Sequence, residues 1–224
     1  MIRERQERMI QYKPVLNEIR EISKNAVLVA VSKTHPYDAV LEAYEDGARV
    51  FGENRVQEAM QKFPDDRPED MKIYLIGQLQ SNKVKKAVAF FDRIESVDSI
   101  PLLLKIEKEA ALIDKRIDIL FEFNSSGENQ KSGFRTEDDV LEALSISMEM
   151  KHVNLLGLMT VGPLGGDPDK NHKAFSRCRA LFDRMNALYP VSVLSMGMSG
   201  DWRDAIEEGS NEVRIGTAIF GARG

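Results

Sequence analysis

A lysine stands at the end of a run that is typical of a buried strand. Residues 26–31 read AVLVAV and lead directly into Ser32 and Lys33. An ammonium group is costly to remove from water unless it pairs or reacts with another group. Lysines at strand ends often extend to solvent, and that interpretation stays open. If Lys33 is desolvated, its pKa falls and its amine becomes a nucleophile that can form a Schiff base with an aldehyde.

A second segment, near the C-terminus, has the composition of an anion-binding turn. The sequence GMSGDW, residues 197–202, places Ser199 and Gly200 at the start of a predicted helix, where backbone amides lack partners. Gly216 and Thr217 could add amides from a neighbouring strand end, because glycine lets the backbone approach a ligand closely. The alternative is that these glycines only form tight turns and that the serine only caps a helix.

A ligand that carries both an aldehyde and a phosphate would engage both segments. Pyridoxal 5′-phosphate has these two groups and a pyridine nitrogen, so the residues predict it as the cofactor. A phosphate-binding barrel enzyme without aldehyde chemistry is an alternative, in which Lys33 acts only as a charge.

The elements that must position these residues alternate between strand and helix patterns. An N-terminal segment is predicted to be helical, kinked or restarted at Pro14. Eight β-type runs follow, separated by apolar residues at helical spacing, such as Val56, Ala59, Met60 and Phe63. The predicted strands are residues 26–31, 49–51, 72–76, 93–97, 117–123, 154–159, 192–196 and 212–220.

Eight strands linked by helices favour an α/β fold, a (β/α)₈ TIM barrel with an extra N-terminal helix, over a doubly wound sheet. No Gly-x-Gly-x-x-Gly follows the first strand, which lowers the case for a dinucleotide-binding fold. No linker splits the chain, so residues 1–224 are predicted to form a single domain. Functional groups of such barrels collect at the C-terminal strand ends, which selects Lys33, Asn54 and the segments 195–201 and 214–221.

Seven segments together carry a family resemblance. They are, in order, AVSKTHP, FGENRVQEA, LIGQLQSNK, NSSGENQKSGF, GLMTVGP, LSMGMSGDW and VRIGTAIFGAR. From about Val27 to its C-terminus the chain resembles the pyridoxal-phosphate homeostasis protein family, whose fold is similar to the barrel domain of alanine racemase. The resemblance implies that Lys33 holds pyridoxal 5′-phosphate as a Schiff base and that the protein acts in intracellular homeostasis of this cofactor. It also implies that Ser199, Gly200, Gly216 and Thr217 hold the phosphate, that Arg214 faces the pyridine nitrogen, and that Asn54 lines the pocket.

The alternative within this resemblance is a racemase-like enzyme that lacks the second domain. A guanidinium only donates hydrogen bonds, so Arg214 would leave the pyridine nitrogen unprotonated and the ring a weak electron sink. The resemblance implies that racemases of this fold manage with such an arginine, but that they do so with a second domain. The chain ends at Gly224, directly after the eighth predicted strand, so the β-rich domain that supplies a catalytic tyrosine in racemases is expected to be absent. We therefore predict a binding protein with no catalytic residues rather than an enzyme.

Four further positions follow from the family pattern. Where members commonly read SKTKP, FGENY and WHFIG, this chain has His35, Arg55 and Tyr74 in place of a lysine, a tyrosine and a histidine. These three are expected to lie outside the ligand shell. Lys131 keeps its family position and is a candidate second lysine for cofactor exchange, with a solvated loop lysine as the alternative.

The composition and charge argue against several other classes of partner, cofactor and cellular location. A formal net charge of -5 argues against nucleic acid and anionic membranes as partners. No apolar run is long enough for a transmembrane helix, and the charged N-terminus lacks a signal-peptide core. A single cysteine, Cys178, excludes an internal disulfide, and the histidines show no metal-ligand spacing, so no metal site is predicted. The expected compartment is the cytoplasm; the resemblance implies a monomer, with amino acids as further candidate ligands.

Overall fold

The architecture is a closed barrel of eight parallel strands in chain order. The computed structural model describes residues 10–221. The strands are β1 (Val27–Val31), β2 (Val50–Glu53), β3 (Lys72–Leu75), β4 (Arg93–Val97), β5 (Ile117–Glu122), β6 (Val153–Met159), β7 (Val193–Ser195) and β8 (Glu212–Ile215). The barrel closes where Ala30 of β1 pairs with Ile215 of β8 on one side and Phe51 of β2 on the other. The predicted (β/α)₈ fold is confirmed.

Helices follow the strands and cover the outside of the barrel. They are α1 (Tyr12–Ile22), α2 (Tyr37–Glu45), α3 (Val56–Lys62), α4 (Val84–Phe90), α5 (Ile100–Ala111), α6 (Glu137–Ser147), α7 (Pro168–Leu188), α8 (Trp202–Glu207) and α9 (Thr217–Phe220), with a 3₁₀ turn over Ser81–Lys83. Local sequence explains several starts, because Thr136 and Asp139 form a reciprocal capping box on α6 and Asp167 caps α7.

The predicted extra N-terminal helix is α1. Pro14 lies in its first turn, where a missing N–H costs no helical hydrogen bond, so the helix begins just before the proline rather than being kinked by it. The part of this prediction that falls on residues 1–9 lies outside the described residues. One predicted apolar position was wrong: Met60 of α3 is 41% exposed, whereas Val56 and Ala59 are buried.

The predicted extent of the last strand was also wrong. β8 ends at Ile215, and residues 217–220 form the short helix α9 instead of continuing the strand. Gly216 leaves the extended conformation at φ -115°, ψ -69°, and its carbonyl accepts hydrogen bonds from the amides of Ile219 and Phe220. Ile219 and Phe220 are buried, and a short buried helix and a buried strand look alike in an apolar run of this length.

Candidate functional site

The predicted site residues line one cavity at the C-terminal ends of the strands. Its volume is about 450 Å³, within the range of small-ligand sites. All seven predicted residues contribute to its wall: Lys33, Asn54, Ser199, Gly200, Arg214, Gly216 and Thr217. The remaining lining residues are Val31, His35, Ile76, Val161, Met198 and Gly221.

Lys33 lies in the loop between β1 and α2, two residues beyond the strand. Its side chain is half-buried, and the preceding Ser32 is fully buried. The following Thr34 has φ 67°, a left-handed conformation that is strained for a β-branched residue. His35 stacks on Phe220 of α9, with ring centroids 4.9 Å apart. The loop around Lys33 therefore has a fixed, locally strained path.

Asn54 follows β2 directly and packs against the loop after β3. A Cβ on Gly77 would lie 2.4 Å from the Asn54 carbonyl oxygen, so only glycine permits this approach. The Asn54 Oδ1 atom is buried and has no hydrogen-bond partner within the described part of the chain. A buried acceptor without a partner is costly, and a ligand donor in the cavity would satisfy it.

Arg214 lies on β8, lines the cavity and is 4% exposed. Its Nη1 donates to Ser195 Oγ at 2.6 Å, and its Nη2 donates to the Thr160 carbonyl at 2.7 Å. A guanidinium has five N–H donors, so these two bonds leave donors for an acceptor in the cavity. The arrangement fixes the plane of the guanidinium and lets it offer hydrogen bonds, but not accept them.

A buried polar network below Arg214 crosses the barrel interior. Ser195 Oγ donates to Glu95 Oε2 at 3.1 Å, and Arg93 Nη1 lies 2.7 Å from Glu212 Oε2. The second contact joins β4 to β8, which are not neighbours in the sheet, so it spans the interior. Burial, reinforced by the neighbouring Glu212, raises the pKa of Glu95 to about 8 against the opposing effect of the two arginines.

Two glycine-containing loops, which follow β7 and β8, form another part of the cavity wall. After β7, the amide of Met198 donates to Asp201 Oδ1 at 2.6 Å and the amide of Asp201 returns to the Met198 carbonyl. The amides of Ser199 and Gly200 lie inside this turn and take no part in its closing hydrogen bonds. A Cβ on Gly200 would meet nothing within 4 Å, so the protein leaves the space beside this exposed residue open.

The remaining positions singled out by the sequence fall in different places. His35 lines the cavity, contrary to the expectation that it lies outside the ligand shell. Arg55 is exposed, and Tyr74 carries the Arg93 guanidinium 4.1 Å above its ring, with burial raising the pKa of Tyr74 to about 12. Lys131 lines a neighbouring cavity of about 760 Å³, where its Nζ lies 2.6 Å from Glu128 Oε2.

Within residues 10–221, no three His, Cys, Asp or Glu side chains are grouped so that they could share a metal ion. Cys178 is fully buried, and burial raises the pKa of its thiol to about 12. None of the helices in the described chain combines the length and the apolar character that a membrane span requires.

Sequence reasoning selected Ser195 only as part of the segment 195–201 and missed the other groups that hold the site residues in place. Ser195 and Thr160 bind Arg214, Glu95 binds Ser195, and Gly77 admits Asn54. Glu95 carried a detectable signal, because it is a charged residue in the middle of the buried strand β4. Its hydrogen-bond partner Ser195, however, lies on β7, 100 residues further along the chain, and could not be predicted from local spacing.

Comparisons with known proteins identify the family to which this chain belongs. The sequence profile of the alanine racemase N-terminal domain matches residues 13–224. The pyridoxal phosphate homeostasis protein of Vibrio alginolyticus is 39% identical over 204 residues, which cover 88% of this chain and 86% of the relative. The protein of the same name from Aquifex aeolicus is 40% identical over 200 residues, covering 88% of this chain and 87% of its own length.

The fold of this chain is similar to that of a relative with a solved structure, PipY. PipY of Synechococcus elongatus, solved without pyridoxal phosphate, superposes with a TM-score of 0.88 at 34% identity, covering 94% of this chain and 99% of PipY. The structure of PipY with pyridoxal phosphate bound superposes with a TM-score of 0.85. The chain therefore belongs to the pyridoxal phosphate homeostasis protein family, within the alanine racemase N-terminal domain fold.

Proposed function

We propose that this protein binds pyridoxal 5′-phosphate, holds it as a Schiff base on Lys33, and serves in the intracellular homeostasis of this cofactor. The observation that carries the proposal is that one cavity brings a half-buried lysine, a buried arginine and two glycine-containing loops together. The names of the relatives and the cofactor-bound PipY structure support it.

The residues present fit the cofactor in three respects. The cofactor brings an aldehyde, which condenses reversibly with a primary amine, and Lys33 is the lysine that lines this cavity. The open turn at Ser199 and Gly200, with Gly216 and Thr217, would hold the phosphate through amides and hydroxyls. Arg214 would donate to the pyridine nitrogen, and the unpartnered Oδ1 of Asn54 offers an acceptor to a ligand hydroxyl.

Retention of the cofactor, rather than turnover, is the role that these residues favour. Arg214 cannot give up its proton and is fixed by Ser195 and Thr160, so it cannot protonate the pyridine nitrogen. An unprotonated ring stabilises a carbanion poorly, so Arg214 gives carbanion chemistry little support. A racemase would exchange the α-proton of an amino acid with solvent deuterium. For both enantiomers we expect no exchange faster than free cofactor alone produces. Rapid exchange would show that the protein is an enzyme and not a carrier.

Absorbance titration with pyridoxal 5′-phosphate tests the proposal directly. We expect the wild-type protein to develop the yellow absorbance of a lysine-bound cofactor and Lys33→Ala to develop none, with unchanged circular dichroism. A barrel-mouth side chain contributes little to packing, so the unfolding free energy of Lys33→Ala should change by less than about 0.5 kcal/mol. Lys131→Ala is the matched control, because Lys131 lines the neighbouring cavity, and it should retain the band.

The same proposal includes the assembly and the compartment of the protein. We propose that residues 1–224 form a single domain, that the protein is a cytoplasmic monomer, and that amino acids are further candidate ligands. Light scattering coupled to size-exclusion chromatography should give the mass of one chain, 25.3 kDa, and a mass of two chains would contradict the monomer. Fractionation of cells should place the protein with cytoplasmic markers.

A further inference from the structure

We propose that Glu53 and Lys62 are positioning residues for Lys33: they hold the backbone of the β1–α2 loop so that the Lys33 side chain enters the cavity. This inference rests on the proposed function of Lys33 and adds two residues that line no part of the cavity. It is carried by a set of short, buried contacts on the outer side of β1.

The contacts converge on Ser32, the residue before Lys33. The Ser32 hydroxyl donates to Glu53 Oε1 at 2.6 Å, and the Ser32 carbonyl accepts from Lys62 Nζ at 2.7 Å. Lys62 Nζ also lies 2.7 Å from Glu53 Oε1, so the three groups form a closed triangle. The carbonyl that Lys62 binds belongs to the peptide that joins Ser32 to Lys33, and its orientation sets the direction in which Lys33 leaves the strand.

A third contact from the same helix holds the other side of Lys33. Glu58 lies one turn before Lys62 on α3, and its Oε1 accepts from the Thr34 amide at 2.7 Å. Thr34 has the left-handed φ of 67°, a conformation that persists only where neighbouring groups enforce it. The residues before and after Lys33 are thus both bound by side chains of the β2–α3 unit.

The burial of this ion pair is difficult to explain by stability alone. The Glu53 side chain is 0% exposed and that of Lys62 is 8% exposed. Removing two charges from water costs more than a well-packed apolar pair would, and a buried ion pair is weak evidence for stability. Glu53 Oε2 is in addition buried without a hydrogen-bond partner among the described residues. Burial raises the pKa of this carboxyl, although the contacts with Lys62 and Ser32 lower it. Placement of the lysine loop accounts for an arrangement that stability does not.

The test is the rate at which Lys33 is labelled by pyridoxal 5′-phosphate and trapped by borohydride, followed by peptide mapping. In Lys62→Met we expect this rate to fall about tenfold or more, since a charge-assisted hydrogen bond to the Ser32 carbonyl is lost. Lys62→Arg keeps the charge and the donors and should recover most of the rate. Lys115→Met is the matched control: Lys115 Nζ also donates to two backbone carbonyls, of Val88 and Phe91, but at the N-terminal end of the barrel, and its loss should leave the rate unchanged.

A second variant separates positioning from folding. Lys62→Met leaves Glu53 buried and uncompensated, which can destabilise the chain; Glu53→Gln combined with Lys62→Met removes both charges and keeps an acceptor for Ser32. We expect this double variant to fold with native circular dichroism and still to label Lys33 slowly. Labelling at the wild-type rate would overturn the positioning role while leaving the proposed function intact. Failure of the wild-type protein to label at Lys33 would instead overturn the proposed function itself.

Discussion

Two groups of residues that line the cavity are built in different ways. We call the loop residues Ser199, Gly200, Gly216 and Thr217, which are proposed to hold an anion, the anion end, and we call Lys33 and Arg214 the anchored end. The anion end is exposed or half-buried and offers small residues and backbone amides. The anchored end is fixed by buried ionisable side chains, with Glu53 and Lys62 beside the Lys33 loop and Glu95 bound to Ser195, which accepts from Arg214.

This difference follows from the chemistry of the two kinds of group. Backbone amides are placed by the local path of the chain, so a turn and a glycine are enough to present them. An ionisable side chain at a buried position needs partners that satisfy its charge and fix its geometry, and such partners come from other strands. The comparison predicts that substitution of Arg214 or of the buried side chains that support the anchored end affects both stability and binding. Substitution of Lys33 or of the anion-end residues should affect binding alone.

The largest effect is expected for Arg214→Met. The Thr160 carbonyl and the Ser195 hydroxyl lose their donor in a buried setting, which should lower the unfolding free energy by about 2–3 kcal/mol. The affinity for pyridoxal 5′-phosphate should fall about tenfold or more, as measured by absorbance titration. Arg214→Lys, which keeps the charge but not the paired geometry, should recover only part of either loss. Unchanged affinity in both variants would remove Arg214 from the site.

An intermediate effect is expected for the charge beneath Arg214. The pKa of Glu95 is about 8 in the folded protein, above the ordinary value of 4.5, so the folded state binds a proton more tightly than the unfolded state. The stability contributed by that proton is fully present below pH 4.5 and is lost as the pH rises through about 8. The unfolding free energy should therefore decline by about 1 kcal/mol or more across this window, and the decline should be smaller in Glu95→Gln. A decline of equal size in that variant would contradict the assignment.

The smallest effect on stability is expected at the anion end. A Cβ on Gly200 meets nothing in the protein, so Gly200→Ala should change the unfolding free energy by less than about 0.5 kcal/mol. Gly200 lines the cavity, and a methyl group added beside the proposed phosphate position should weaken competition by inorganic phosphate for the cofactor. Gly197→Ala is the contrasting control: Gly197 has φ +95° and a Cβ there would lie 2.8 Å from Ala205 Cβ, so this variant should lose stability. Equal phosphate competition in Gly200→Ala and wild type would move the anion site elsewhere.

The same contrast explains how much of the site could be predicted from sequence. Lys33 and the segment GMSGDW can be recognised from their residue types and their order in the chain. In a (β/α)₈ barrel the C-terminal ends of the strands lie at one end of the barrel, which predicts that these residues lie close together. The partners at the anchored end could not be predicted, because Glu95 is 100 residues from Ser195 in the chain and Glu53 is 21 residues from Ser32. Only the closed barrel brings such distant groups into hydrogen-bonding distance.

The fold was predictable for a related reason, and the error in the extent of the last strand has a physical cause. The alternation of strand and helix patterns reflects burial on regular elements, and it placed all eight strands. The error beyond Ile215 arose because the apolar residues Ile219 and Phe220 are buried in either conformation. The deciding factor was the backbone of Gly216, whose carbonyl caps the turn of α9.

Attachment of the cofactor to Lys33 is tested by peptide mapping of the wild-type protein after incubation with pyridoxal 5′-phosphate and reduction with borohydride. We expect to recover the reduced cofactor on the peptide that contains Lys33, at one equivalent per chain, and we expect inorganic phosphate in excess to slow its attachment. Label distributed over surface lysines, or concentrated on Lys131, would show that Lys33 is not the anchoring residue.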